Sequence, residues 1–188
     1  MIDIDAYAKK LAANIKKTKP SPSIKNESEF EVKHVNKSAW ELVRKHPEIT
    51  VCLHPSKKRE TCRGSCAENK LEFKDRVAGC PTCWRNSKEW SVVKAYGLKH
   101  NFDVVARDYQ GKTLAVEVKW LKFRTGRRPN GEFQRFIGQC TLAAARHDVV
   151  LGICGIKGDC NKDFDQHTKA VNKTLQEIGV TLVVLYAR

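Results

Sequence analysis

Residues 102–120, FDVVARDYQGKTLAVEVKW, predict two β-strands joined by a turn. Apolar runs flank Tyr109–Gly111, and the glycine favours a tight turn between them. If these three residues form the loop, strict pairing places Asp103 opposite Glu117. Side chains alternate between the two faces of a strand, so Glu117 and Lys119 share one face. The opposite face carries an apolar set that needs a core: Leu114, Val116, Val118 and Trp120.

Asp103, Glu117 and Lys119 therefore form a charged group on a strand that should be largely buried. Two buried carboxylates raise each other's pKa unless a cation lies between them. Mg²⁺ (or Mn²⁺) accepts a few oxygen ligands and completes its shell with water. Such an ion could polarise a phosphoryl oxygen, while Lys119 positions the attacking water. The alternative is an ordinary Glu–Lys pair on a solvated strand beside an unrelated Asp.

The pattern of Asp103 followed by Glu117–Lys119 resembles the motif of the PD-(D/E)XK nuclease superfamily. The resemblance covers the C-terminal half of the chain. It implies the restriction-endonuclease-like fold, an α/β fold in which helices flank a mixed central sheet. It also implies a metal-dependent endonuclease, with Mg²⁺ held by both carboxylates and the Val118 carbonyl. Some branches carry a Gln on the following helix, and Gln134 or Gln139 could correspond to it.

The same family places a Glu on the helix before the sheet, and Glu89 is the first candidate for it. The family usually has a strand between that helix and the Asp-bearing strand. Residues 96–101 leave almost no room for such a strand. Either the strand is absent or displaced, or the first helix lies earlier, around Ser38–Arg44 with Glu41.

The charge of the chain points to a polyanionic partner. Its 188 residues include 35 Lys and Arg against 21 Asp and Glu, a formal net charge of +14. Lys and Arg contacts to phosphates supply most non-specific affinity for nucleic acid, so we expect nucleic acid as partner, with DNA favoured over RNA. Cutting both strands of a duplex usually takes two sites, which leaves a homodimer open.

Most of the candidate basic residues lie in the turn-rich stretch that follows the predicted E-x-K strand. Guanidinium groups at this position could hold phosphates on either side of a scissile bond. The alternative is an exposed basic loop without a ligand. The nucleic-acid-binding candidates are Lys122, Arg124, Arg127, Arg128 and Arg135.

No apolar run is long enough to span a membrane, and no secretory signal is visible, so we expect a cytoplasmic protein without a membrane partner. Five of the eight cysteines fall within residues 52–83. In the cytosol, close-spaced pairs favour a tetrahedral zinc site over disulfides. An iron–sulfur cluster or several unrelated thiols are the alternatives. The favoured zinc ligands are Cys62, Cys66, Cys80 and Cys83, with Cys52 or His54 as substitutes.

Periodicity and capping signals divide the chain into three parts. We expect an N-terminal helical region with a linker (1–50), a cysteine-rich zinc-binding insertion (51–85) and a nuclease-like α/β core (86–188). Residues 29–35 could be strand or helix. The predicted helices are 4–15, 38–46 with Ser38 as N-cap, 86–96, 132–146 and 163–178, and the later buried strands are 149–156 and 180–186.

Two other functions remain open. The first is a non-catalytic, zinc-bearing nucleic-acid-binding protein in which Glu117 and Lys119 only pair with each other. The second and weaker one is a zinc-dependent nucleobase deaminase, because His46-Pro47-Glu48 and the later Cys80–Cys83 superficially fit its motif. In that motif, however, a proline stands immediately before the first cysteine, whereas here the proline follows Cys80.

Overall fold

The computed structural model describes residues 1–46, 48–53, 92–95, 98–123, 129–158 and 162–187. Within these ranges the chain is an α/β structure built on a mixed five-stranded sheet. The strands are β1 (Thr50–Cys52), β2 (Val92–Ala95), β3 (Leu98–Asn101), β4 (Val104–Arg107), β5 (Thr113–Lys122), β6 (Val149–Lys157) and β7 (Val180–Ala187). The helices are α1 (Ile4–Lys17), α2 (Glu27–Phe30), α3 (Lys37–Val43), α4 (Asn130–Ala144) and α5 (Lys162–Gln176), with a π-helical segment, Glu31–Asn36, between α2 and α3.

The sheet has the strand order β1-β4-β5-β6-β7. The first three strands pair antiparallel, and β5, β6 and β7 pair parallel. Parallel neighbours need crossover connections, and α4 and α5 supply them. Across the described residues, every helix is too short or too polar to span a lipid bilayer.

The β4–β5 hairpin has the register predicted from the sequence. Val104 faces Val116 and Arg107 faces Thr113. Gly111 adopts a φ of 87°, and its N–H donates to the Asp108 carbonyl at 3.1 Å. A positive φ is readily available to glycine, which explains why the turn contains one.

Two apolar clusters cover the two faces of the sheet. The predicted apolar face of β5, residues 114, 116, 118 and 120, is confirmed, since it packs against the N-terminal helices. The other face carries Ala115 and Leu121, and it packs against α4 through Phe133 and Phe136. The side chain of Glu117 belongs by alternation to this second face.

The N-terminal region is part of the core. Ile4, Tyr7, Leu11 and Ile15 of α1 are fully buried in the same cluster as β5. Residues 27–43 form one continuous helical segment, so the undecided residues 29–35 are helical. Ser38 is not an N-cap as predicted, because it lies inside this segment and its Oγ donates to the His34 carbonyl at 2.9 Å.

The predicted helix over residues 86–96 is wrong where the structure describes it. Val92–Ala95 is β2, which pairs antiparallel with β3 in a separate two-stranded sheet. The sequence predicts almost no room in residues 96–101 for a strand of the central sheet; a strand, β3, does form at Leu98–Asn101, but it belongs to the separate two-stranded sheet. A segment of four residues is too short to distinguish the helical period from the strand period, and the adjacent β-branched Val92 and Val93 favour extended backbone. The strand beside β4 is β1, from much earlier in the chain.

The C-terminal half follows the prediction closely. Helices α4 and α5 and strands β6 and β7 start and end within a few residues of the bounds read from the sequence. Strand β6 is buried along most of its length, as expected of a parallel strand covered on both faces. Cys140 and Cys154 are core residues, as predicted.

A glycine in β6 makes room for the helices that cover β5. Gly155 faces Trp120 across the parallel pair. A Cβ at this position would overlap the Trp120 ring and lie 2.8 Å from Phe30 Cζ. The Phe30 and Trp120 rings are in contact, with centroids 4.9 Å apart. The missing side chain at Gly155 therefore lets α2 approach the sheet.

We expect Gly155→Ala to lower the free energy of unfolding by about 1–3 kcal/mol, because the added methyl group forces Trp120 and Phe30 to move. Chemical denaturation monitored by tryptophan fluorescence measures this change. The control is Gly138→Ala in the exposed middle of α4, where a Cβ meets nothing within 4 Å. This control should be neutral or stabilising by up to about 1 kcal/mol. Equal destabilisation by both substitutions would contradict the packing argument.

Candidate functional site

The predicted acidic pair lies where β4 and β5 separate. Asp103 immediately precedes β4, and its N–H donates to the Val116 carbonyl at 3.1 Å. Its Oδ2 accepts the N–H of Val118 at 2.7 Å. Continuing the strand register by one residue sets Asp103 beside Glu117. Within the described ranges, β4 does not pair with β5 beyond this point, and the Asp103 carboxylate accepts the N–H that a strand partner would otherwise bind.

Asp103 is in an environment that disfavours its charge. Burial, together with the negative charges of Glu117, Glu31 and Glu27, raises the pKa of Asp103 well above its usual range, although the Val118 hydrogen bond acts in the opposite direction. Glu117 is itself only 5% exposed. Placing a second carboxyl group beside the buried Glu117 costs stability unless a proton or a cation compensates the charge.

Glu27 and Glu31 are the site residues that the sequence analysis missed. They are spaced by four residues, so they lie on one side of the helical segment that faces Asp103. The contact of Phe30 with Trp120 holds this segment against β5. The signal for this helix was Asn26, whose side chain caps α2 by accepting the Glu29 N–H at 2.9 Å.

Lys119 is bound to one of these helix glutamates. Its Nζ lies 2.8 Å from Glu27 Oε2. The same oxygen accepts the backbone N–H of Trp120 at 3.3 Å. The alternative from the sequence was a Glu117–Lys119 pair on a solvated strand. The structure differs from it in two respects: Glu117 is buried, and the carboxylate 2.8 Å from Lys119 Nζ is that of Glu27.

Some of the remaining predicted site residues lie within the described ranges, and others lie outside them. Lys122 is exposed at the end of β5, Gln134 and Arg135 are exposed on α4, and Gln139 is half-buried. Glu41 is exposed, and its Oε1 lies 4.0 Å from Lys37 Nζ. Several candidates lie outside the described residues: Glu89, Arg124, Arg127, Arg128, His54 and the four favoured zinc ligands Cys62, Cys66, Cys80 and Cys83.

The donor set at the acidic pair fits a hard divalent cation. Among the described residues, no three Asp, Glu, His or Cys side chains converge closely enough to hold a metal ion. Mg²⁺ commonly uses only one or two carboxylates and keeps several waters. Asp103 and Glu117 supply such oxygen ligands, and a cation there would offset the repulsion that raises the Asp103 pKa. The soft ligand Cys52 is instead buried in the apolar core beneath α4.

His46 and Glu48, which suggested a deaminase, have another role in the structure. Glu48 Oε1 accepts the Ile2 N–H at 2.8 Å and lies 3.6 Å from His46 Nδ1. The other ring nitrogen, Nε2, is 3.2 Å from Lys10 Nζ. Both side chains therefore connect the N-terminus to the end of the α3 region.

The chain matches no protein-family model and no curated protein. The function must therefore be argued from the residues of the site.

The raised pKa of Asp103 predicts a pH-dependent loss of stability in the metal-free protein. The folded state holds the Asp103 proton more tightly than the unfolded state, whose carboxyl titrates near its ordinary value of about 3.9. The free energy of unfolding should therefore fall as pH rises from that value through the raised pKa.

Asp103→Asn removes this titration and keeps an oxygen for the Val118 N–H, so it should raise the melting temperature at neutral pH. For a chain of this size the shift is about 2–4 °C per kcal/mol of relieved repulsion. Thermal melts from pH 4 to pH 8 in EDTA measure it, and added Mg²⁺ should stabilise the native protein more than the variant.

The control is Asp108→Asn, at a buried carboxylate with a structural role. Asp108 accepts N–H groups from Ile4, Gln110 and Lys112 at 2.9–3.0 Å. Losing part of this hydrogen bonding should destabilise by about 1–3 kcal/mol. If Asp103→Asn destabilised the protein in the same way, the account of Asp103 as an electrostatically strained group would be wrong.

Proposed function

We propose that the protein is a metal-dependent endonuclease, a phosphodiesterase that hydrolyses nucleic acid, with DNA favoured over RNA. The observation that carries the proposal is the pair of carboxyl groups formed by the buried Glu117 and the partly buried Asp103, beside Lys119 at the end of the described β4–β5 pairing. A charge arrangement this unfavourable is expected where a cation or a reacting group compensates it.

The surrounding elements agree with the resemblance to the PD-(D/E)XK superfamily. A helix bearing glutamates precedes β1, the β4–β5 hairpin carries the Asp and the E-x-K sequence, and α4 leads to the parallel strand β6. This is the order of elements that the restriction-endonuclease-like fold would require. The helix glutamate implied by the resemblance would then be Glu31, whose charge contributes to the raised pKa of Asp103.

In this proposal Asp103, Glu117 and the Val118 carbonyl hold Mg²⁺ or Mn²⁺. When bound, the ion supplies charge neutralisation and polarises a phosphoryl oxygen. The carboxylates would be ionised in that state, because an adjacent cation favours their charged form.

Lys119 would act on the same phosphate from the strand that carries Glu117. Its ammonium group would donate hydrogen bonds to the attacking water or to a phosphate oxygen and stabilise the negative charge that develops there. The side chain of Lys119 is only 20% exposed, so the ammonium group is partly shielded from water. Shielding strengthens its electrostatic effect on a bound phosphate.

The charge of the chain supports a nucleic-acid substrate. With a net charge of +14, the protein should attract phosphates over a long range at low salt. Lys122 and Arg135 are exposed cations on β5 and α4, the elements next to the acidic pair. The zinc site, the roles of Arg124, Arg127 and Arg128, a homodimer and the cytoplasmic location stay predictions.

The second candidate is a nucleic-acid-binding protein without catalytic activity. The observation that favours it is the ion pair between Lys119 and Glu27, because this pair occupies the ammonium group of Lys119. A binding protein needs no Mg²⁺, whereas the proposed nuclease is inactive without it. Among the described residues, the contacts of His46 and Glu48 join the N-terminus to the α3 region and do not favour the deaminase.

Lys119→Ala should lower the rate of Mg²⁺-dependent cleavage of plasmid and single-stranded DNA by at least about 100-fold, because general acid–base and electrostatic groups typically contribute this much. Asp103→Asn and Glu117→Gln should have effects of similar size. EDTA should abolish cleavage by the native protein, and gel assays of product formation measure each rate.

The matched control is Lys112→Ala, which removes the same charge from the turn end of the hairpin. Lys112 is half exposed, and its Nζ is 3.9 Å from Asp5. This variant should cleave within about twofold of the native rate, since surface ion pairs contribute little. Cleavage that survives in Lys119→Ala would show that the site is elsewhere. Salt-sensitive binding without cleavage of DNA or RNA would favour the binding protein.

A further inference from the structure

The ammonium group of Lys119 is held by a carboxylate that is itself attached to the same strand. Glu27 Oε2 is 2.8 Å from Lys119 Nζ and 3.3 Å from the backbone nitrogen of Trp120. One oxygen atom therefore bridges a side chain and the main chain of neighbouring residues.

The second anchor exists because β5 is longer than its neighbour. The described pairing of β4 with β5 ends at Val104 and Val116. Beyond it, the N–H of Val118 is taken by Asp103 and the N–H of Trp120 by Glu27. Two carboxylates thus replace a strand along the edge where the proposed reaction takes place, and each satisfies a backbone donor that would otherwise lack a strand partner.

A lysine needs such a constraint if its ammonium group must act at a fixed point. Its flexible side chain loses up to about 2 kcal/mol of conformational entropy when it is held in one arrangement. Helix α2 supplies the constraint in advance, since Phe30 packs on Trp120 and places Glu27 at the strand.

We propose that Glu27 is a positioning residue for Lys119: it sets the location of the ammonium group through its double attachment to β5. This inference rests on the proposed nuclease function and adds to it a residue outside the Asp and E-x-K motif. Glu27 acts through Lys119 and does not need to touch the substrate.

A double-mutant cycle on plasmid DNA with Mg²⁺ tests the proposal. Glu27→Ala should lower kcat by about 10- to 100-fold, as misplacement of a reacting group by about 1 Å can do, with KM within twofold. Glu27→Gln keeps a neutral acceptor and should lose less. In a Lys119→Ala background, Glu27→Ala should cause no further loss, because both substitutions remove the same function.

The matched control is Glu29→Gln, two residues along the same helix. Glu29 also pairs with a lysine, Lys33 at 2.6 Å, and accepts the Lys25 N–H at 2.7 Å. This variant should cleave at the native rate. A loss in Glu29→Gln equal to that in Glu27→Gln, or additive losses in the cycle, would overturn the proposal, because Glu27 would then act through the stability of the helix.

A second measurement does not depend on activity. The ¹H–¹⁵N NMR signal of an ion-paired lysine ammonium group persists because its hydrogen exchange is slow. The Lys119 signal should be present in the native protein and in Glu29→Gln and lost in Glu27→Ala. The same signal in all three proteins would overturn the proposal even if every variant were inactive.

The experiments separate this proposal from the function on which it depends. A native protein without Mg²⁺-dependent cleavage would overturn both, whatever the NMR signal shows about the ion pair. A native protein that cleaves DNA, combined with an additive cycle or an unchanged ammonium signal, would overturn the role of Glu27 alone. Circular dichroism of each variant confirms that it is folded before the rates are compared.

Discussion

The close approach of an aromatic pair to a glycine is the constraint on which the site depends. Because Gly155 has no side chain, the Trp120 ring lies over β6 and Phe30 packs against both. Phe30 is in the same helical segment as Glu27 and Glu31, so this apolar contact carries two carboxylates to the edge of β5. The free energy gained by burying these rings holds together groups that repel each other.

The polar half of the site follows from hydrogen-bond accounting along β5. A strand that extends beyond its paired neighbour has N–H groups without a strand partner on that side. Such groups cost free energy when they are buried without acceptors. Asp103 and Glu27 are the acceptors at Val118 and Trp120. The need to provide acceptors for these backbone N–H groups thus favours carboxylates at positions where the carboxylates repel each other. The result is an acidic edge of β5 at which the ammonium group of Lys119 is bound to Glu27.

Local patterns were sufficient to predict the hairpin, its register and the later strands and helices. Gly111 and the strict alternation along β5 define one register, and β6 is an uninterrupted apolar run. The helix over residues 27–43 could not be read from a 3.6-residue period, since its π-helical segment shifts the spacing and its first turn is polar. Glu27 and Glu31 reach the site through tertiary packing with Trp120, about 90 positions later, which no local pattern reports. At residues 92–95 the segment is too short for its sequence pattern to distinguish a strand from a helix.

The pairing of β1 with β4 has a consequence for how this architecture can vary. Cys52 faces Val105, so the chain leaves the sheet and returns to it at adjacent points. Closing a longer excursion costs little extra entropy, since the cost grows only with the logarithm of its length. The sheet therefore places almost no limit on the size of whatever is inserted there. A shorter or longer segment inserted at this junction would leave the acidic edge and its supporting helices unchanged. The junction is therefore a point at which one inserted segment can replace another.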